Sequence, residues 1–343
     1  MKKVFFLGIA AAAMLASCSN DETIDISQAG AIGFSNAFVN NGTRSTVDPS
    51  FTTTSLTSFD VYGFTQKGQI FDEVTVSKSG SAWTYSPTQY WVEGNTYTFG
   101  AIAPSGTTVN NEAVSGGKVT MTIPFTSDGK KDLIHAAPTA ITPDETFMAN
   151  PDPVALTFNH QLAKVKFSFE NGVGEGYNIK ITDVKITNAK KTGTLTVGAS
   201  NAWSAQEENG SLELDFGVVG AAATTADAIA NGAEGETYNE MLTIPTPSTA
   251  SYTVTFKAEL LQGTVSLTTY SHETTISGVE LKLGYCYDFK ATLTSKNINP
   301  GDPDDPDNPE LQPIEFSVDK IEPWNTTEQD KELGDYPEPT PGA

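Results

Sequence analysis

The chain has 343 residues, with 42 acidic against 20 basic side chains and a formal net charge of -22. So large a negative excess excludes the basic footprint that nucleic acids and anionic membrane surfaces require, and it keeps a soluble object self-repelling. The length exceeds one ordinary hydrophobic core, and 29 glycines, 19 prolines and frequent Thr, Val, Tyr and Phe favour strands and turns. Two all-β domains are therefore expected, with one large all-β domain as the fallback.

Residues 1–18 read as a signal peptide. Lys2-Lys3 precede an apolar run from Val4 to Leu15, which as a helix reaches roughly 18 Å and falls short of a hydrocarbon core of about 30 Å. The run is thus too short to span a bilayer. Leu15-Ala16-Ser17-Cys18 resembles the bacterial lipobox, which implies cleavage before Cys18, acylation of its thiol and anchorage in the outer membrane. Ser19-Asn20-Asp21-Glu22 resembles an acidic export tag for the outer cell surface. Cys286 is the one other cysteine, so the mature chain is expected to lack an internal disulfide. In Tyr285-Cys286-Tyr287 it reads as a buried, inert thiol.

Residues 19–44 read as a propeptide with a removable first strand. Ile32, Phe34 and Phe38 fall on one face of an extended segment, Ala31 to Val39. The next stretch, Gly42-Thr43-Arg44-Ser45-Thr46, is small and polar and lies between Asn40-Asn41 and Asp48-Pro49, the pattern of an exposed loop open to nicking. Arg44 is the single arginine of the chain, so an Arg-specific protease cuts only between Arg44 and Ser45. Loss of the first strand would take large apolar side chains from a core and leave an open groove.

A first β-sandwich is expected over residues 45–153. Its strand signals are Phe59 to Phe64, Ile70-Phe71, Ala82 to Tyr85, Tyr97 to Ile102, Val119 to Pro124 and Asp132 to Ala136, punctuated by Gly68, Gly80 and Gly94-Asn95. A Pro-rich stretch from Pro138 to Pro153 breaks the rhythm and sets the boundary. A second sandwich is expected over 154–300, opening at Leu156, with Val165, Phe167 and Phe169 on one face. It continues through Ile179 to Ile186, Gly193 to Val197, Leu212 to Phe216, Met241 to Ile244, Tyr252 to Leu261, Thr264 to Thr269 and Tyr287 to Leu293. Ala221 to Gly235 reads as a loop with at most one helical turn.

Residues 301–343 combine an acidic Pro-rich linker with a terminal strand. Gly301 to Pro309 is stiff and wet; its carboxylates invite calcium, but Pro303 and Pro306 disrupt EF-hand spacing. Beyond it Ile314, Phe316 and Val318 alternate ahead of Ile321 and Trp324, the same chemistry as the strand upstream of Arg44. No cofactor fingerprint or catalytic constellation is present, and His135, His160 and His272 stand at no metal-ligand spacing, so each reads as a strand-face or turn residue. Trp83, Trp91, Trp203 and Trp324 read as core fillers, with a sugar-binding platform as the alternative.

Several of these segments together resemble the type V pilin, or fimbrillin, family. They are the lipobox, the Thr-Arg-Ser loop, Tyr90-Trp91 ahead of Tyr97-Thr98-Phe99, Asp132 to Ala136, Phe158 to Val165, Leu283-Gly284-Tyr285 and the segment Ile314 to Trp324. The resemblance implies two transthyretin-like β-sandwich domains, export as a lipoprotein and cutting after Arg44 by an Arg-specific protease. It further implies polymerisation with other pilin subunits: the segment Ile32 to Val39 is displaced, and the segment Ile314 to Trp324 of a neighbour is donated. One departure is the polar tail from Asn325 to Ala343. Either the donor takes in part of that tail, or the chain is a tip or accessory subunit. The competing function is a glycan-binding surface lipoprotein that stays anchored and monomeric.

Overall fold

The computed structural model describes residues 30–39, 50–204, 210–299 and 314–324, with backbone alone at 36–39. Cys18, Arg44, Ser45, the acidic linker and the tail after Trp324 lie outside the described residues. In chain order the first elements are β1 (Phe34–Val39), β2 (Ser58–Thr65), β3 (Gly68–Ser79), β4 (Ala82–Thr84), β5 (Tyr97–Ala103), β6 (Asn110–Ser115), β7 (Lys118–Thr126), β8 (Ile134–Ala136), α1 (Glu145–Ala149) and β9 (Val154–His160). Then follow β10 (Ala163–Gly172), β11 (Tyr177–Lys190), β12 (Thr192–Val197), β13 (Ala202–Ser204), β14 (Ser211–Gly217), β15 (Ile229–Ala230), β16 (Glu234–Glu236), β17 (Met241–Thr243), β18 (Ser251–Gln262), β19 (Val265–Ser277), β20 (Tyr285–Thr294) and β21 (Ser317–Pro323).

The architecture is all-β, built of two sandwiches. The first packs a sheet ordered β1-β9-β8-β5-β2-β3-β4 against one ordered β13-β12-β7-β6. Its centre is β5, buried at every residue because both of its faces are covered. Tyr97, Phe99 and Ala101 point into one core with Phe59, Phe71 and Trp91, while Ile102 points into the other with Val119, Met121 and Ile123 of β7. Gly100 makes that approach feasible, since a Cβ there would stand 3.0 Å from that of Val119. The first core is closed by α1, whose N-cap Asp144 accepts a hydrogen bond from the Phe147 N–H at 2.8 Å. Phe147 thereby meets Trp91 edge-on at 5.1 Å.

The second sandwich packs the sheet β16-β10-β20-β21, extended by β17, on the sheet β14-β11-β18-β19, extended by β15. Alternation along β10 turns Val165, Phe167 and Phe169 inward. Phe167 meets Phe216 at 4.8 Å and Phe169 meets Phe256 at 5.1 Å, across the gap between the sheets.

Three sequence expectations need correction. The boundary at 153 falls one strand early, because β9 pairs with β8 and β1 in the first sandwich. The proline-rich stretch returns the chain to the same sheet, where buried Val154, Leu156 and Phe158 seal the first core. The stretch from Gly193 to Val197, assigned to the second domain, instead runs as β12 along β7 in the first sandwich. There Leu195 and Val197 complete the core of Val119, Met121 and Ile123. Cys286 is half-buried rather than fully buried, because it lies on the side of β20 away from the inward-facing Tyr287 and Phe289. The segment from Ala221 to Gly235 holds turns and the short β15, with no helix.

Candidate functional site

The first strand is seated before it becomes regular. The Ile32 N–H donates to Gln89 O at 2.8 Å, the Trp91 N–H to Gly30 O at 3.0 Å and the Val154 N–H to Gly33 O at 2.8 Å. β1 then runs parallel to β9, Phe34 opposite Val154 and Ser35 opposite Ala155; one extra residue bulges before Phe38 comes opposite Thr157. It is the outermost strand, with β9 as its one neighbour in the sheet. Even so, Ile32 is 1% and Phe34 5% exposed. The Phe34 ring stands edge-on to Phe71 and Tyr85 at 5.6 Å, to Phe99 at 5.9 Å and to Phe59 at 6.3 Å. The Tyr85 hydroxyl donates to Ile32 O at 2.7 Å.

The terminal strand occupies the open edge of the second sandwich in its own chain. β21 runs antiparallel to β20, with Ser317 opposite Lys290 and Val318 opposite Phe289. Ile314 is buried, and Phe316 meets Phe167 at 5.2 Å, Phe169 at 5.7 Å and Phe256 at 6.1 Å. A bulge follows Val318, and Lys320 comes opposite Asp288. The extra residue at 319 brings Ile321 opposite inward-facing Tyr287, on the same side as Val318, yet Ile321 is 49% exposed because it lies near the end of the outermost strand of its sheet.

Trp324, just past β21, is fully buried at the junction of the sandwiches. Its ring stacks on His160 at 3.7 Å with 6° between planes, and the Lys164 ammonium lies 4.8 Å from its centroid. His160 Nδ1 is 2.8 Å from an Asp132 carboxylate oxygen that also accepts from the Phe51 N–H, and Lys164 pairs with buried Glu240 at 3.1 Å. Backbone bonds complete the knot: Gln161 N–H to Leu133 O and Gly284 N–H to Leu162 O at 2.8 Å, and Trp324 N–H to Gly284 O at 2.7 Å. Segments far apart in sequence, Asp132 to Ala136, Phe158 to Val165 and Leu283 to Tyr285, thus meet around Trp324. Sequence reasoning named these segments without seeing that they converge; the legible signal was His160 and Lys164 standing inside apolar runs.

The model of the fimbrillin-like family matches residues 43–304. The chain belongs to that family. This fimbrillin-like chain is similar in fold to a fimbrial protein from Bacteroides vulgatus, at 14% identity over 86% of this chain and 99% of that one, with a TM-score of 0.53. A candidate cell adhesion protein from Bacteroides ovatus aligns at 15% identity over 87% of this chain and 99% of that one, with a TM-score of 0.47. No curated protein matches the chain. Membership places the fimbrillin-like chain among structural subunits of the cell surface rather than enzymes. Its histidines are strand residues: burial and nearby Lys118 push His135 down to about 4, and burial lowers His272, which stacks on Phe256 at 4.8 Å. Among the described residues no cluster of three His, Cys, Asp or Glu could hold a metal, and no helix is long and apolar enough to cross a membrane.

Proposed function

We propose that the chain is a fimbrial subunit serving adhesion, exported as a lipoprotein through Cys18, cut after Arg44 and polymerised by strand exchange. The observation that carries this reading is the burial of Ile32 and Phe34 on an outermost strand just upstream of the chain's single arginine. One cut frees that strand, and its departure empties seats in the aromatic core without touching the rest of the sheet. Ile32 and Phe34 alone contribute roughly 3–6 kcal/mol by burial, and an incoming strand recovers that together with backbone bonds to β9. The incoming strand is Ile314 to Trp324 of a neighbour, an edge strand bonded to β20 alone in its sheet. It must leave the Phe316 cage and the Trp324 seat of its own subunit to reach the groove. That barrier keeps the uncut subunit monomeric until an open groove competes for the strand.

Residues 1–44 carry Lys2, Lys3 and Arg44 against Asp21, Glu22 and Asp25, so the cut chain keeps the formal -22 and subunits repel at long range. Apolar insertion must therefore hold them together. The test is an Arg-specific protease added to the purified uncut chain, followed by a denaturing gel run without heating. A ladder of oligomers supports exchange; an intact monomer after complete cutting refutes it and favours an anchored glycan-binding lipoprotein. An Arg44→Ala chain stays uncut and monomeric.

A further inference from the structure

Resting on the strand-exchange reading, we infer its register: Ile314 and Phe316 of a neighbouring subunit enter the seats of Ile32 and Phe34, with the donor running parallel to β9. Four features carry this assignment. The displaced strand contains Ile32-Gly33-Phe34-Ser35 and the terminal strand Ile314-Glu315-Phe316-Ser317, the same Ile-x-Phe-Ser order at both ends of the chain. The two phenylalanines occupy similar aromatic surroundings, Phe34 buried and Phe316 half-buried. Phe34 stands edge-on among Phe59, Phe71, Tyr85 and Phe99, and Phe316 edge-on among Phe167, Phe169 and Phe256.

The backbones match as well. β1 carries one extra residue between Ser35 and Phe38, and β21 carries one between Val318 and Lys320. With Phe316 superposed on Phe34, residue 319 falls on 37, so both bulges coincide. A donor in this register brings its kink ready-made to the place where β9 accommodates one. Glu315 also fits where Gly33 stands: the backbone there is outside the left-handed region, and a Cβ would lie 3.6 Å from Pro153, an ordinary contact. The match cannot start earlier than residue 31, because a Cβ at Gly30 would stand 2.3 Å from Pro151 Cγ. Shifting the donor by one residue turns Ile314 and Phe316 to solvent. A shift by two puts Val318 or Ile314 into the Phe34 cage and displaces the bulge.

Ser35 lies opposite exposed Ala155, so in this register a donor's Ser317 comes opposite Ala155. The full chain carrying Cys286→Ser, Ala155→Cys and Ser317→Cys is cut with the Arg-specific protease, oxidised, boiled and run without reductant. A covalent ladder that collapses on reduction is the expected result, while a chain with Thr157→Cys replacing Ala155→Cys yields none. A covalent ladder from Thr157→Cys instead, or a ladder seen only without heating in both variants, overturns the register and leaves exchange standing. Absence of any unheated ladder from the unsubstituted cut chain overturns exchange and the register with it.

Discussion

Replacing Phe34 by alanine in the uncut chain separates the role of the first strand from that of the rest of the core. The ring is 5% exposed and touches four aromatic rings edge-on. An aromatic side chain so placed withdraws roughly 200 Å² from water, about 5 kcal/mol at 25 cal/mol per Å². Part of that area is buried in the denatured chain, and the retained Cβ keeps some contact, which brings the expected loss to about 3–5 kcal/mol. Urea unfolding of uncut Phe34→Ala, followed by fluorescence of Trp91 and Trp83 in the first sandwich, should show that loss against the uncut parent. After the cut the residue is gone, so fibres from the variant and the parent should have the same stability. A loss under about 1 kcal/mol in the uncut chain would refute the claim that Phe34 holds the strand in its seat.

Acid should destabilise the fold through His135. Its imidazole is held near 4, below the ordinary 6.5, so the unfolded chain binds the extra proton. The penalty is absent above pH 6.5 and grows as pH falls towards 4, to roughly 3 kcal/mol in all. His272 acts in the same direction, while Asp288, raised by burial, opposes both at the acid end; His135→Gln should flatten the slope of urea stability against pH. Lys164→Met leaves the Glu240 carboxylate buried without its ammonium and should cost about 3–5 kcal/mol, with most of it restored in the Lys164→Met/Glu240→Leu chain. A Cβ at Gly63 would lie 2.8 Å from the Phe71 ring and 3.0 Å from Phe99. Gly63→Ala should therefore destabilise the first sandwich by about 1–3 kcal/mol through overpacking, read by urea unfolding. Fibre yield after the cut should hold or rise with added salt, which screens like-charged subunits; turbidity that dissolves at high salt would show that charge, not apolar insertion, joins them.

Much of the fold was legible because its signals are local. Alternation in Val165, Phe167 and Phe169 reports a strand with one inward face, and Ile32 and Phe34 or Ile314 and Phe316 report strands able to enter a core. The phase of a strand beyond a bulge is not local: strict alternation from Phe316 and Val318 turns Ile321 outward, and the extra residue at 319 sets it opposite inward-facing Tyr287. Nor is the partner of a strand encoded in its own pattern. β12 looks like any half-buried strand, and only the unfilled edge of β7 makes it a member of the first sandwich.

The sequence by itself determined the class of fold, the two apolar terminal strands and the one arginine between the first of them and the sandwiches, since composition and period two need no knowledge of neighbours. The tertiary structure alone decided which sheet each strand joins and that Asp132, His160, Lys164 and Gly284 close around Trp324. Those choices depend on how distant surfaces fill one another's gaps, a property of the packed chain that no single segment contains.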